Sequence, residues 1–585
     1  MNTPITLTPR PVRMQWDIKI PLRDGTHLSA TVYRPADQNE PEPCLLTLTP
    51  YTAQRLHPRA SYFAARGFPF LAVDARGRGN SEGIFRPYIQ EAEDGHDIVE
   101  WIARQPYCNG RVAMFSGSYE GYDQWAVAKE FPAHLATIAP SVSAGLGIDF
   151  PMRNNIPYPY VMRWLSLTAG HTSQDRVFED QKFWRDQYRA WFLSGRPFRE
   201  LDTLTGNPSP IFQEWLSHPE RDAYWDAFLP GATAYAKIDL PILSLTGSYD
   251  ANQPGALHFY REHLRHASPA AAAKHYLVIG PWDHGGSLSP KPEFGGISFG
   301  PAALLDVMQL HLDWYKWTLR GGAKPAFLQR NVAYYVTGAE KWRYAESLES
   351  VTDQHQLLYL DSQGSASRAH NSGLLGESVG EGAGDTYVYD PRDLGIAAVE
   401  AQLEYPSPPT LLRPTFPNDS LTDQTLVFAN EGKALIYHSL PFARATEISG
   451  FFKLTAWMAI NQPDTDFLAT VYELTPEGGS ILLTSDLLRA RYREDLHTPR
   501  LIRTEEPLRY DFNHFTFISR QLKQGSRLRL VIGPLHSIYF QKNYNSGKPV
   551  AEESMEDARA VTVTLHHDKL HPSVLHVPLG HLEND

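Results

Sequence analysis

The residues around Ser118 have the form of a site for a serine nucleophile. Mostly apolar residues at 112–115 are followed by Ser116-Gly117-Ser118, and a helix-forming stretch begins near Gln124. This pattern predicts a strand, a tight turn that carries Ser118, and a helix. Such a turn exposes a serine hydroxyl at the end of a sheet and directs helix N–H groups toward an oxyanion formed there. A polar turn without chemistry is the alternative for these residues alone.

A serine nucleophile needs an imidazole to accept its proton and a carboxylate to orient that imidazole. Asp250 directly follows a predicted strand at 242–245, and His284 directly follows one at 276–279. The order Ser, Asp, His is that of an α/β-hydrolase, in which both partners lie on loops after later strands. Asp283 is a competing carboxylate, but neighbouring side chains in an extended segment diverge, which favours Asp250.

The turn sequence Ser116-Gly117-Ser118-Tyr119-Glu120-Gly121 resembles the Gly-x-Ser-Tyr-x-Gly motif of the cocaine-esterase-like serine hydrolases. These are grouped with the X-Pro dipeptidyl-peptidases and the α-amino-acid ester hydrolases. Ser116 departs from the motif, which has glycine at that position. The Gly-Pro-Trp-x-His stretch that ends at His284 is also similar to the family, as are residues 463–467 and 488–493, so the resemblance spans nearly the whole chain.

The resemblance implies an α/β-hydrolase fold with an inserted helical cap and a C-terminal jelly-roll domain. It implies no cofactor. It further implies that the hydroxyl of Tyr51, in Thr49-Pro50-Tyr51, is one oxyanion donor. The chemistry of acyl transfer makes the backbone N–H of Tyr119, directly after the nucleophile, the other donor. An ordinary half-buried aromatic is the alternative for Tyr51.

Hydrophobic patterning predicts the elements that position these residues. A hairpin is expected at 15–34. After it, short apolar strands alternate with helices, which is typical of a parallel sheet covered on both faces. The last of these helices is long and amphipathic and ends at Gly321-Gly322. The intervening residues are aromatic and helical. We therefore predict a hydrolase domain at 1–145 and 233–345 with a cap at 146–232.

Residues 346–585 are predicted to form the β-sandwich. The expected strands are short alternating runs at 424–428, 434–438, 451–457, 467–473, 528–532 and 561–565.

Composition excludes several classes of function. A net charge of −12 and a pI near 6.0 argue against nucleic-acid and anionic-membrane partners. No secretory signal or membrane-spanning apolar run is visible, which predicts a cytoplasmic protein in which Cys44 and Cys108 are reduced thiols. No zinc-protease or paired Cys-x-x-Cys motif occurs, so no catalytic metal is expected. Asp464 and Asp466 are turn residues or a calcium site.

The first functional hypothesis is hydrolysis of small carboxylic esters, and of amides as an extension, through a covalent acyl-enzyme. The alternatives are X-Pro dipeptidyl-peptidase activity, α-amino-acid ester hydrolase or acyltransferase activity, and a β-sandwich binding protein with a relic hydrolase core. The amino-acid ester hydrolases bind the substrate ammonium with acidic residues shortly after the triad aspartate. Here the uncharged Ala251-Asn252-Gln253 follow Asp250, which disfavours an amine-selective pocket. A homo-oligomer is compatible with the sequence.

Overall fold

The computed structural model describes residues 9–370, 373–382, 384–402 and 420–581. The chain begins with an α/β unit that contains the predicted hairpin, and this unit ends just before the predicted cap. Its elements are β1 (Val12–Pro21), β2 (His27–Pro35), β3 (Glu42–Thr49), α1 (His57–Ala64), β4 (Phe70–Asp74), α2 (Glu91–Ala103), β5 (Cys108–Gly117), α3 (Tyr119–Ala128) and β6 (Leu135–Ser141).

An insertion that is mainly helical follows β6, as the aromatic composition predicts. It contains β7 (Met152–Arg153), β8 (Ile156–Pro157), α4 (Tyr160–Leu167), α5 (Asp175–Glu179), α6 (Gln181–Ser194), α7 (Leu201–Leu204), α8 (Pro210–Leu216), α9 (Ala223–Asp226) and α10 (Ala232–Lys237). Its large aromatic side chains, among them Trp184, Trp191 and Trp225, are buried. These rings pack the interior of the insertion, and this burial is what makes the segment a stable layer.

The chain then returns to the α/β unit and completes its sheet. The elements are β9 (Ile242–Gly247), α11 (Gln253–His266), α12 (Pro269–Ala272), β10 (His275–Gly280), β11 (Glu293–Phe294), β12 (Ile297–Ser298), α13 (Val307–Arg320), β13 (Val332–Val336) and β14 (Lys341–Ala345). Gly321 ends α13 in the left-handed conformation, with φ 68°, where glycine is unstrained.

The ten strands of this sheet run in the order β1-β2-β4-β3-β5-β6-β9-β10-β13-β14. The pairs from β4–β3 to β10–β13 in this order are parallel, whereas β1–β2, β2–β4 and β13–β14 are antiparallel. Consecutive residues of β5, Met114 and Phe115, pack into different hydrophobic clusters, so the sheet is covered on both faces. That is the arrangement of an α/β-hydrolase.

The remaining strands form the C-terminal β-sandwich. Its elements are β15 (Thr352–Ser362), β16 (Gly373–Gly376), β17 (Asp385–Tyr389), α14 (Gly395–Gln402), α15 (Thr425–Ala429), β18 (Leu435–Ser439), β19 (Thr446–Gly450), β20 (Lys453–Ile460), β21 (Asp466–Leu474), β22 (Ser480–Arg489), β23 (Leu508–Phe512), β24 (Ile518–Leu522), β25 (Arg527–Pro534), β26 (Val561–His566) and β27 (Val574–Gly580). The pairs are antiparallel except β16 with β18. One cluster of buried aliphatic and aromatic side chains fills the interior.

One predicted strand is wrong: of residues 424–428, all but Gln424 lie in the short helix α15, and Gln424 directly precedes it. The carboxylate of Asp423 accepts a hydrogen bond of 2.7 Å from the Thr425 N–H, which favours a turn at this point over an extended chain. Only Val427 of this helix is buried, so its apolar residues do not alternate between a core face and a solvent face.

Within the described part of the chain, no helix has the length and apolar character needed to cross a bilayer. Cys44 and Cys108 are buried free thiols, as predicted.

Candidate active site

Ser118 lies between the last residue of β5 and the first residue of α3. Its backbone has φ 64° and ψ −125°, and its N–H donates to Ser141 O at 3.0 Å. A non-glycine residue with positive φ stores strain, and such strain is typical of a sharp strand-to-helix turn that carries a nucleophile. As the first residue of α3, Tyr119 has a backbone N–H without a partner inside the helix. The turn therefore places a hydroxyl beside an N–H donor.

Close packing of α3 against β6 explains the glycines of this turn. A Cβ at Gly117 would lie 2.8 Å from Ser141 O, and one at Gly121 would lie 2.7 Å from the same atom. Cβ atoms in proteins essentially never approach another heavy atom this closely, so both positions require glycine. Ser116, at the position where the family motif has glycine, also has a positive φ of 120°. Its hydroxyl donates to the buried Glu120 carboxylate, whose pKa is raised by that burial.

Asp250 and His284 form a buried hydrogen-bonded pair. The Nδ1 atom of His284 lies 2.8 Å from Asp250 Oδ1, with the two side chains 9% and 0% exposed. The carboxylate also accepts from the Asn252 N–H at 3.0 Å and from the Thr246 hydroxyl at 2.9 Å. These bonds fix the carboxylate, which in turn holds the Nδ1 proton and leaves the Nε2 lone pair of the imidazole to act as a base.

Sheet register brings the three segments to one edge. Gly117 pairs with Ser141, Ser141 pairs with Leu245, and Gly247 pairs with Gly280. Because these strands are parallel and adjacent, Ser118, Asp250 and His284 follow their carboxyl ends on the same side of the sheet. Asp283, the competing carboxylate, accepts from the Gly286 N–H at 2.8 Å.

Tyr51 follows the carboxyl end of β3, which is the neighbour of β5. Its hydroxyl oxygen accepts a hydrogen bond from Trp164 Nε1 at 3.0 Å, and burial raises the pKa of the phenol. A hydroxyl that accepts from an indole keeps its own proton free for donation to another acceptor. The buried Arg78 donates to Pro50 O at 2.6 Å and to Thr168 O at 2.7 Å, which ties the Tyr51 loop to the end of α4.

The residues after Asp250 differ from an ammonium-binding carboxylate cluster. Asn252 donates to Asp149 Oδ1 at 3.1 Å. Asp149 also accepts from the backbone N–H groups of Gly145 and Gly255 at 2.8 and 2.5 Å, and burial raises the pKa of its carboxyl to about 7. Both oxygens of this carboxylate therefore already have donors.

Gln253 connects the Asp250 loop to the sandwich. Its buried side chain donates to Gly247 O at 3.0 Å and to Phe517 O at 3.1 Å, and it accepts from the Phe517 N–H at 2.6 Å. Sequence reasoning missed this role and the bond from Trp164 to Tyr51. In the sequence, Trp164 is one of several aromatic residues of the predicted cap, and Gln253 is an uncharged residue near Asp250, so neither residue type indicates its contact.

Asp464 and Asp466 are partners of arginines. Asp464 pairs with Arg491 and Asp466 with Arg489, each at 2.8 Å, and Asn543 donates to both carboxylates at 2.8 Å. The charges of the two aspartates are therefore compensated by protein groups, which explains their burial.

Comparison with known proteins places this geometry in a family. Residues 24–286 match the model of the X-Pro dipeptidyl-peptidase (S15 family), and residues 326–576 match that of the X-Pro dipeptidyl-peptidase C-terminal non-catalytic domain. The chain belongs to the X-Pro dipeptidyl-peptidase (S15) family. It is a hydrolase with an α/β-hydrolase-like domain followed by a β-rich domain, and the predictions of family, fold and enzyme class are confirmed.

Relatives of several activities share the full length of the chain. Cocaine esterase of Rhodococcus sp. (strain MB1 Bresler) is 26% identical over 96% of this chain and 98% of its own. The structure of an aminopeptidase from the marine sediment archaeon Thaumarchaeota archaeon superposes with a TM-score of 0.80 at 18% identity, over 99% of each chain. An α-amino acid ester hydrolase also gives 0.80, at 19% identity and with the same coverage. The two structures show a common fold.

Proposed function

We propose that this protein hydrolyses small carboxylic esters through a covalent acyl-enzyme formed on Ser118. The observation that carries the proposal is the buried hydrogen bond of 2.8 Å between His284 Nδ1 and Asp250 Oδ1, at the sheet edge where the Ser118 turn lies. The full-length similarity to a cocaine esterase supports esters as the substrate class.

In the proposed first step, His284 Nε2 accepts the Ser118 proton while the hydroxyl oxygen attacks the ester carbonyl. Asp250 stabilises the imidazolium that results and does not itself take the proton. The Tyr51 hydroxyl and the Tyr119 N–H donate to the oxygen of the tetrahedral intermediate. His284 then protonates the departing alcohol. In the second step it activates a water that releases the acid and restores Ser118.

The contacts of Asp149 remove one buried carboxylate near the Asp250 loop from recognition of a substrate ammonium group. Amine recognition needs a carboxylate with an available oxygen, whereas the oxygens of Asp149 accept from Asn252 and from two backbone N–H groups. Peptidase and acyltransferase activities on the same residues are the alternatives. The cytoplasmic location, the lack of nucleic-acid and membrane partners and the oligomeric state stay predictions from the sequence.

Initial rates on a panel of substrates test the proposal. The panel is p-nitrophenyl acetate, an aromatic ester, phenylglycine methyl ester and Ala-Pro-nitroanilide, each with the protein and its Ser118→Ala variant. We expect turnover of the first two substrates, lost in the variant, and labelling of Ser118 by a fluorophosphonate. Preference for the amino ester or the anilide contradicts the substrate class. An unlabelled Ser118 in folded protein contradicts the mechanism.

A further inference from the structure

One group of metal-ligating side chains lies in the sandwich, on the connection between β26 and β27. His566, Asp568 and His571 each offer a ligand atom, and these atoms all lie within 4.8 Å of one another. The spacing His-x-Asp-x-x-His confines the three residues to one tight turn. The ester-hydrolysis mechanism uses none of them, so this arrangement requires a separate explanation.

The distances around Asp568 are close to those of a coordination site. Asp568 Oδ2 lies 3.4 Å from His571 Nδ1 and 4.0 Å from His566 Nδ1. Two ligands at about 2.0–2.1 Å from a tetrahedral zinc are about 3.3–3.4 Å apart, so the Asp568–His571 pair already fits. The two pairs that include His566, at 4.0 Å from Asp568 and within 4.8 Å of His571, need a rotation of the His566 side chain. The three side chains are 21%, 34% and 28% exposed, in chain order, which leaves an ion a path from solvent.

Hydrogen bonds hold the carboxylate in place for this purpose. Asp568 Oδ1 accepts from the N–H groups of Leu570 and His571 at 2.7 and 3.0 Å, so Oδ2 is the atom that faces the imidazoles. The Ser573 hydroxyl donates to His566 O at 2.6 Å and accepts from the Trp457 N–H at 2.9 Å. The turn is thus fixed to β20 before any ion binds, which lowers the entropy cost of binding.

The donor atoms of the group suit a divalent transition metal. Two nitrogen ligands and one oxygen ligand select zinc, nickel or copper over magnesium and calcium, which prefer oxygen.

We propose that His566, Asp568 and His571 bind one divalent transition-metal ion of the zinc, nickel and copper group, with solvent in the remaining position. The ion would clamp the connection between the last two strands of the sandwich, which both pair with β20. Its role is structural, because the three ligands lie on a sandwich turn and not on the loops that follow β5, β9 and β10.

Calorimetric titration of untagged, metal-free protein with ZnCl2 tests this site. We expect one ion bound per chain, affinity at least about tenfold weaker in His571→Gln and in Asp568→Asn, and no binding of MgCl2. His134→Gln is the matched control, because His134 also pairs with a carboxylate, Glu100 at 2.8 Å, but lies next to β6 in the α/β unit. This control should bind zinc as the unmodified protein does.

Two further readouts locate the ion and its effect. The Trp457 ring lies 5.3 Å from the His571 ring, so CuCl2 should quench part of the tryptophan fluorescence, and Trp457→Phe should remove that part. Zinc should raise the thermal midpoint of the protein but not that of His571→Gln. The proposal is overturned if zinc binds equally well to His571→Gln and Asp568→Asn, or if metal-free protein binds no zinc.

Discussion

From the hydrogen bond between Trp164 and Tyr51 we predict how much kcat falls when the proposed oxyanion donor or its partner is removed. Tyr51→Phe removes the proposed donor and should lower kcat by about 10²–10³, or about 2.7–4 kcal/mol in activation free energy. Trp164→Phe removes the 3.0 Å bond to the phenol oxygen, worth about 1 kcal/mol, and should lower kcat about fivefold. KM should change little in either variant, because the donor acts on charge that develops in the transition state.

The double variant distinguishes a positioning role from general damage. If Trp164 acts through the Tyr51 hydroxyl, Trp164→Phe should add less than about twofold in the Tyr51→Phe background. Trp215→Phe is the control, since Trp215 is equally buried at 4% exposure and its ring lies 6.5 Å from that of Trp164. Rates are measured on p-nitrophenyl acetate. A fivefold loss that persists without the hydroxyl, or that Trp215→Phe reproduces, refutes the reasoning.

Three further outcomes are expected. Asp250→Asn should lower kcat by about 10³–10⁴ while His284 stays in place, because an amide facing Nδ1 favours the imidazole tautomer that carries its proton on Nε2. A loss under tenfold in the same ester assay contradicts the pairing of Asp250 with His284. Ser116→Gly relieves a positive φ but removes the donor to buried Glu120, so the free energy of unfolding should fall by about 1 kcal/mol net and the first thermal midpoint should fall with it. A rise of that midpoint would mean that the strain dominates. Burial raises the pKa of Glu400 from 4.5 to about 7, so the folded protein holds a proton that the unfolded chain loses, and the contribution of Glu400 to stability falls as the pH rises between these values. Glu400→Gln should therefore flatten this part of the plot of thermal midpoint against pH, and an unchanged slope would exclude Glu400 as its source.

The catalytic half of the fold was predictable because its strands are buried on both faces. Apolar runs such as that of β9 indicate strands of a parallel sheet that is covered on both faces. The polar loop residues directly after each run indicate where the carboxyl ends of these strands lie. The same edge rule placed Ser118, Asp250 and His284 without any coordinates. The bond between His284 and Asp250 was therefore expected from strand ends and residue types alone.

The sandwich was less predictable where its strands are partly exposed. The strand β15 carries mixed polar residues, most of them partly or fully exposed, so its sequence shows little alternation. The five residues of α15 lie within the length range of a strand, and the local contact that favours the turn is the hydrogen bond from the Thr425 N–H to Asp423. Side-chain partners far apart in sequence gave no signal, such as Gln253 and Phe517, which are 264 residues apart.

The Gln253 contact has a consequence for recombination between members of the family. The amide of Gln253 spans the junction, and its partners are two carbonyls of the catalytic loop, Gly247 O and Ser248 O, and both backbone groups of Phe517. A chimera that joins this hydrolase domain to the β-sandwich of another family member would keep every proposed catalytic residue. Its buried Gln253 amide would lack hydrogen-bond partners wherever the loop that replaces the one around Phe517 has another backbone conformation. Crossover points for chimeras should therefore keep Gln253 and the 513–519 segment from the same parent, even though one belongs to the catalytic half and the other to the half named non-catalytic.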